Sequence, residues 1–204
     1  MAEQLHCELV SQAAVYELVY RLAERIRASG FHPDLVVAIS RGGFTPARVL
    51  CDVLGLFNLT SIRVVHYRKA AVHEQQAYVK YPLCMDIAGQ RILLVDDVND
   101  TGDTLEVARA HLEGLGPTEV RIAVLHEKTR SPVRADYVGE ILDAWRWLIY
   151  PWAVVEDVGG FLREMTPPPQ DAEQAAAWLQ KTYGLNPPRD QLQRLLDLVR
   201  RERQ

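Results

Sequence analysis

The stretch that decides the fold is Arg91-Ile-Leu-Leu-Val-Asp-Asp-Val-Asn-Asp-Thr-Gly-Asp-Thr-Leu105. Its apolar run, Ile92 to Val95, stops at two adjacent carboxylates, Asp96 and Asp97. A short polar loop follows, Asp100 to Thr104, and then an amphipathic pattern that predicts a helix over 104–115. Strand, acidic pair, Thr/Gly loop and helix form the arrangement by which α/β proteins hold a phosphorylated ligand at the C-terminal edge of a sheet. Such a loop aims backbone N–H groups and hydroxyls at a phosphate, and the helix N-terminus adds partial positive charge. Neighbouring carboxylates can accept hydrogen bonds from a sugar diol. The stretch reads as a ribose-phosphate cradle.

Outward from it, strand and helix patterns alternate. Residues 11–29 place Ala14, Leu18, Leu22 and Ile26 on one face, with Ser11 as a cap and Gly30 as a stop, which predicts a helix. Asp34 to Ser40 is nearly continuously apolar, as in a strand buried on both faces. It opens into Ser40-Arg41-Gly42-Gly43 and a helical pattern from Thr45 to Leu54, closed by Gly55. Ser61 to His66 and Glu119 to Leu125 read as further strands, whereas polar, aperiodic residues 67–80 read as a mobile loop. The alternation predicts an α/β fold with a doubly wound, mostly parallel sheet.

After Lys128 the character changes. Residues 129–165 are aromatic-rich and irregular, Pro167 to Pro169 form a stiff linker, and 171–203 read as two short helices broken at Gly184 to Pro188. The expected organisation is a domain over 1–165, with its core at about 30–128 and an aromatic hood at about 129–165. A proline linker and helical C-terminal appendage would follow over 166–204.

Composition narrows the class. The chain has 204 residues, 48% hydrophobic and 25% charged, an ordinary globular balance. A net charge of −4 argues against broad nucleic-acid binding. Three cysteines without CxxC spacing argue against structural zinc or a disulfide framework and fit a reducing compartment. No secretory signal or 18-residue apolar run is seen, so a soluble, cytoplasmic protein that does not contact membranes is expected. A magnesium-holding P-loop NTPase is excluded because no Gly-x-x-x-x-Gly-Lys-[Ser/Thr] occurs.

Residues 92–105 resemble the PRPP-binding signature of the type I phosphoribosyltransferases: an apolar run, Asp-Asp, then Asp-Thr-Gly-x-Thr. Ser40-Arg41-Gly42-Gly43 is similar to the pyrophosphate loop of that family, and the resemblance runs in order across residues 30–155. It implies the type I phosphoribosyltransferase fold and transfer of 5-phosphoribose from PRPP to N9 of a free purine base. By resemblance, Thr101, Gly102, Asp103 and Thr104 hold the 5′-phosphate. Asp96 and Asp97 hold the ribose hydroxyls, directly or through Mg2+, and Ser40, Arg41, Gly42 and Gly43 hold the pyrophosphate. In the family this last loop often contains a non-proline cis peptide. Asp103 stands where many relatives carry Gly or Lys, and its side chain is expected to face solvent.

The resemblance also assigns a base site. Asp100 is placed to take the proton from N7 as the catalytic base; the other role open to it is a helix N-cap. Lys128 resembles the lysine that donates to O6 in 6-oxopurine enzymes, the other reading being a solvated surface lysine. Residues 147–152 are similar to the hood of the bacterial and archaeal xanthine/guanine/hypoxanthine enzymes. Trp147 would stack on the purine, backbone groups near Leu148 to Tyr150 would read its edge, and Trp145 and Trp152 would be hood core. Ala153 departs from an acid found there in relatives, which Glu156 or Asp157 could replace. His66 and His73 read as exposed loop histidines, and Arg194, Arg200, Arg201 and Arg203 as a solvated helix face. The family usually forms homodimers. Two rival readings are a PRPP-sensing regulator, with 171–203 as its partner-binding element, and a transferase for another base.

Overall fold

The computed structural model describes residues 5–68 and 75–202. The chain divides into two units, Val15–Ala144 and Met1–Ala14 together with Trp145–Gln204.

The first unit is built on a six-stranded sheet. Its strands are β2 (Leu35–Ser40), β3 (Leu59–Arg68), β4 (Gln75–Tyr81), β5 (Arg91–Asn99), β6 (Glu119–Lys128) and β7 (Tyr137–Leu142), in the order β4-β3-β2-β5-β6-β7. All neighbours are parallel except β3 and β4. Alternate residues of the central strands point to opposite faces, and both faces are covered, which is why these strands read as unbroken apolar runs. Leu35, Val37 and Ile39, with Ile92, Leu94, Ile122 and Val124, share a core with Leu105, Ala108 and Leu112 of α3 (Asp103–Glu113). Helix α2 (Phe44–Leu54) packs on β2 and β5. Helix α1 (Gln12–Ala28) begins where the Ser11 hydroxyl accepts the Ala14 N–H at 3.0 Å, the predicted cap.

The strand order has a consequence for ligands. From β2 the chain moves outward to β3, then returns to place β5 on the other side of β2. The crossovers diverge between β2 and β5, and in open parallel sheets ligands bind outside the carboxyl ends of strands at such a point.

The second unit pairs β1 (Cys7–Leu9) in parallel with β8 (Trp147–Ile149) and adds α4 (Val154–Glu164), α5 (Ala172–Tyr183) and α6 (Arg189–Glu202). Its core joins Ile149, Val154, Val158 and Leu162 to Leu179, Leu192, Leu195 and Val199. No described helix is long and apolar enough to cross a membrane.

Three expectations need correction. Residues 75–81 form β4, which pairs antiparallel with β3 and turns Ala77 and Val79 onto the core. Only part of the proposed loop is involved, since residues 69–74, including His73, lie outside the described residues, as does Arg203. Residues 129–165 are not irregular throughout: β7 closes the sheet beside β6, and β8 and α4 follow. The divisions fall differently too. Residues 129–144 belong with the sheet, and the C-terminal helices share a unit with 145–165, because their leucines are buried against α4 and Ile149.

Candidate active site

The predicted phosphate-binding parts converge at the carboxyl ends of β2, β5 and β6. Ser40 ends β2, and the peptide that follows it, Ser40–Arg41, is cis. The loop then turns on two glycines that are required sterically. A Cβ on Gly43 would lie 2.3 Å from the Val95 carbonyl oxygen and 2.7 Å from that of Ile39. A Cβ on Gly42 would lie 2.4 Å from Asp97 Oδ2. The loop therefore sits directly against the acidic pair, joining the residues assigned to pyrophosphate and to ribose.

Asp96 is buried, and its carboxylate accepts the backbone N–H of Asp97 at 2.9 Å. Burial pushes its pKa well above the ordinary range, and the charge of Asp97 adds to the rise. Two neighbouring carboxylates of this kind favour a bound cation or hydroxyl donors. Among the described residues no group of three or more His, Cys, Asp or Glu side chains forms a metal cage. The pair suits Mg2+, which usually takes one or two carboxylates and completes its shell with water and substrate phosphate.

Helix α3 starts at Gly102, with φ +91° and no side-chain cap. The first N–H groups of a helix have no partner within it, so the loop presents Asp103 and Thr104 N–H donors beside the Thr101 and Thr104 hydroxyls. Asp103 is half-buried and accepts the Thr101 hydroxyl at 2.9 Å, so it is not simply turned to solvent. His66 is exposed, as expected, but it lies in β3 paired with Ala77 and not in a loop, and its Nε2 lies 3.0 Å from Thr104 Oγ1. A histidine at the tip of a strand carries no sequence signal for that contact.

Asp100 and Lys128 come together. Lys128 Nζ donates to Asp100 Oδ2 at 2.6 Å; the lysine is 4% exposed, and the carboxylate is about one-third exposed. The surface-lysine alternative fails, because β6 runs on to Lys128 and carries it into the protein. The N-cap alternative for Asp100 fails as well, because Gly102 occupies the cap.

The second unit carries the aromatic residues. Trp147 is 40% exposed, and its indole N–H donates to Asp157, whose carboxyl pKa burial raises overall. Leu148 is buried, so only its backbone could meet a ligand. Trp152 stacks on Tyr150 with centroids 4.9 Å apart, whereas Trp145 is exposed rather than core. Ala153 precedes α4, Glu156 is exposed, and Asp157 is committed to Trp147.

Relatives carry the same framework. The chain is 30% identical to the hypoxanthine-guanine phosphoribosyltransferase of Saccharomyces cerevisiae, over 71% of this chain and 85% of the yeast protein. It is 31% identical to the xanthine-guanine phosphoribosyltransferase of Gluconobacter oxydans, over 57% and 67% of the two chains. The crystal structure of a purine phosphoribosyltransferase from Pyrococcus horikoshii matches with a TM-score of 0.64 and 32% identity, covering 72% of this chain and 93% of that one. The family model of the phosphoribosyl transferase domain matches residues 8–150, including the pyrophosphate loop, the acidic pair, the phosphate loop and Lys128, and the chain belongs to that family.

Proposed function

We propose that this protein is a purine-salvage enzyme that transfers 5-phosphoribose from PRPP to N9 of a 6-oxopurine base and releases pyrophosphate. The observation that carries the reading is the buried Lys128 on Asp100 beside the phosphate loop. An ammonium donates three hydrogen bonds and accepts none, so it selects an oxo group over the 6-amino group of adenine. An ionised carboxylate only accepts, so it matches a protonated ring nitrogen. O6 and N7 lie side by side on a 6-oxopurine. O6 supplies that acceptor, and a free base that carries its imidazole proton on N7, leaving the N9 lone pair to attack, supplies that donor.

The reaction divides among these residues. N9 forms a bond to C1 of the ribose as the C1–O bond to pyrophosphate breaks, and the leaving group takes the electron pair. The N7 proton passes to Asp100, work that typically contributes ~10²–10⁴-fold. Lys128 holds O6 and so sets the base in line. Thr101, Gly102, Asp103 and Thr104 anchor the 5′-phosphate, while Ser40, Arg41, Gly42 and Gly43 receive the pyrophosphate. Asp96 and Asp97 hold the ribose diol and would hold Mg2+, which when bound offsets negative charge on PRPP and on the leaving group. Trp147 is the residue that the resemblance offers for stacking on a purine ring, a contact worth ~1–3 kcal/mol by analogy with base–aromatic stacking. The reading includes a cytoplasmic homodimer, and three free cysteines fit a reducing compartment.

Incubation with PRPP, Mg2+ and a panel of hypoxanthine, guanine, xanthine, adenine, uracil and orotate tests the assignment. A 6-oxopurine nucleotide and equimolar pyrophosphate are expected. PRPP binding without turnover of any base would replace the enzyme by a PRPP sensor, and a pyrimidine nucleotide would replace the purine assignment.

A further inference from the structure

A second polar layer lies directly behind the Asp100–Lys128 pair. Asn99 and Glu127 are register partners on β5 and β6, each immediately preceding a member of that pair. They are 1% and 2% exposed, where a polar side chain is destabilising unless bonded. They are bonded to each other, with Asn99 Nδ2 donating to Glu127 Oε2 at 2.9 Å. Glu127 also accepts the Ala135 N–H at 2.8 Å and Arg134 Nη1 at 2.9 Å. Asn99 donates to the Val133 carbonyl at 2.7 Å and accepts the buried Ser131 hydroxyl at 3.0 Å. These bonds fasten two strand ends to residues 131–135.

That segment is the wall behind the phosphate loop. A Cβ on Gly102 would lie 2.7 Å from Val133 Cβ and 2.9 Å from Ser131 Oγ. The glycine of the phosphate loop therefore rests on the residues that Asn99 and Glu127 hold. What the bonded pair adds is fixed geometry among three separate pieces of chain. We propose that Asn99 and Glu127 are positioning residues, locking the base-facing Asp100 and Lys128 and the phosphate loop into one register. The inference rests on the purine-transfer reading above.

Glu127→Gln tests it, because the amide keeps the shape and offers a single accepting oxygen. kcat should fall roughly 10- to 100-fold, the scale of a small misplacement of reacting groups. Amide hydrogen exchange should accelerate over residues 99–105 and 129–136 and stay unchanged in β2. In an Asp100→Asn background the same substitution should change kcat less than about threefold, since residues acting through one another are not additive. An unchanged kcat, or an equal fall in both backgrounds, overturns the proposal. The double variant Asn99→Leu, Glu127→Met removes acceptors of the Ala135 N–H and the Ser131 hydroxyl, so its thermal midpoint should fall. Assayed well below that midpoint, where it is folded, it should still lose kcat, and normal turnover there overturns the proposal too. Should the unmodified chain turn over no base, the transfer reading fails separately and exchange decides the positioning. Acceleration over 99–105 in Glu127→Gln then supports the lock, and unchanged exchange removes it.

Discussion

The two ends of the central strands carry carboxylates in opposite states. At the amino ends of β2 and β5, Arg91 Nη2 and Nε donate to the two oxygens of Asp34 at 2.8 and 3.0 Å, and the Arg91 backbone N–H adds a third bond at 2.8 Å. Bonds from Arg91 hold the Asp34 carboxyl down at about 2. At the carboxyl ends, burial and the neighbouring Asp97 push Asp96 up instead. Where the chain supplies its own countercharge, the pair fastens two strands in solvent. Where burial sets carboxylates side by side, at the point where the crossovers diverge, the chain is arranged to be completed by a ligand.

Substitutions at the two ends should separate these roles. A large effect is expected at Gly42→Ala, whose Cβ would meet Asp97 Oδ2 at 2.4 Å and Cγ at 2.6 Å. Displacing that carboxylate should lower turnover about 100-fold and raise the KM for PRPP, with a shift of only a few degrees in thermal midpoint. Unchanged kinetics would detach Asp97 from the site. Lys128→Met should lower kcat/KM for the preferred 6-oxopurine by roughly 10- to 150-fold, from loss of a charge-assisted hydrogen bond worth ~1.5–3 kcal/mol. Selectivity over adenine should narrow by the same factor, and equal losses for both bases would remove Lys128 from O6.

Asp34→Asn, at the amino end, should leave turnover untouched and give the smallest change. A carboxyl held low in the folded protein stabilises at pH values above its ordinary 3.8, and that contribution fades as pH falls toward about 2. Thermal midpoints of the parent and Asp34→Asn should therefore differ at neutral pH and converge in acid. A gap that widens in acid contradicts the pairing. Because the pair is exposed, added salt should narrow the gap as well.

The sequence made the carboxyl end more legible than its surroundings. Residues 92–105 carry strand, acids, loop and helix in one continuous piece, so local pattern alone described them; the ion pair of Asp100 with Lys128, 28 residues apart, comes from the sheet. What escaped was set by pairing across the fold. β4 is a short strand whose core-facing positions, Ala77 and Val79, are too few to mark it, and its place comes from its antiparallel partner. Helices α5 and α6 read as an appendage because the partners of their leucines lie on α4, and only the folded unit joins them. Asn99 and Glu127 carry no sequence signal of their own. Their register, and hence their contact, belongs to the sheet. Asp157 is a candidate acid in the sequence, but its bond to Trp147 joins two elements only in the folded unit.

The claim that Asp100 faces the purine is tested most directly by Asp100→Asn, measured for kcat and for PRPP affinity side by side with the unmodified chain. An amide keeps the shape and removes the base, so kcat should fall about 10²–10⁴-fold while the Kd for PRPP stays within about twofold. Loss of PRPP binding at near-normal kcat under saturating PRPP would make Asp100 a support of the phosphate loop and contradict its role as the base.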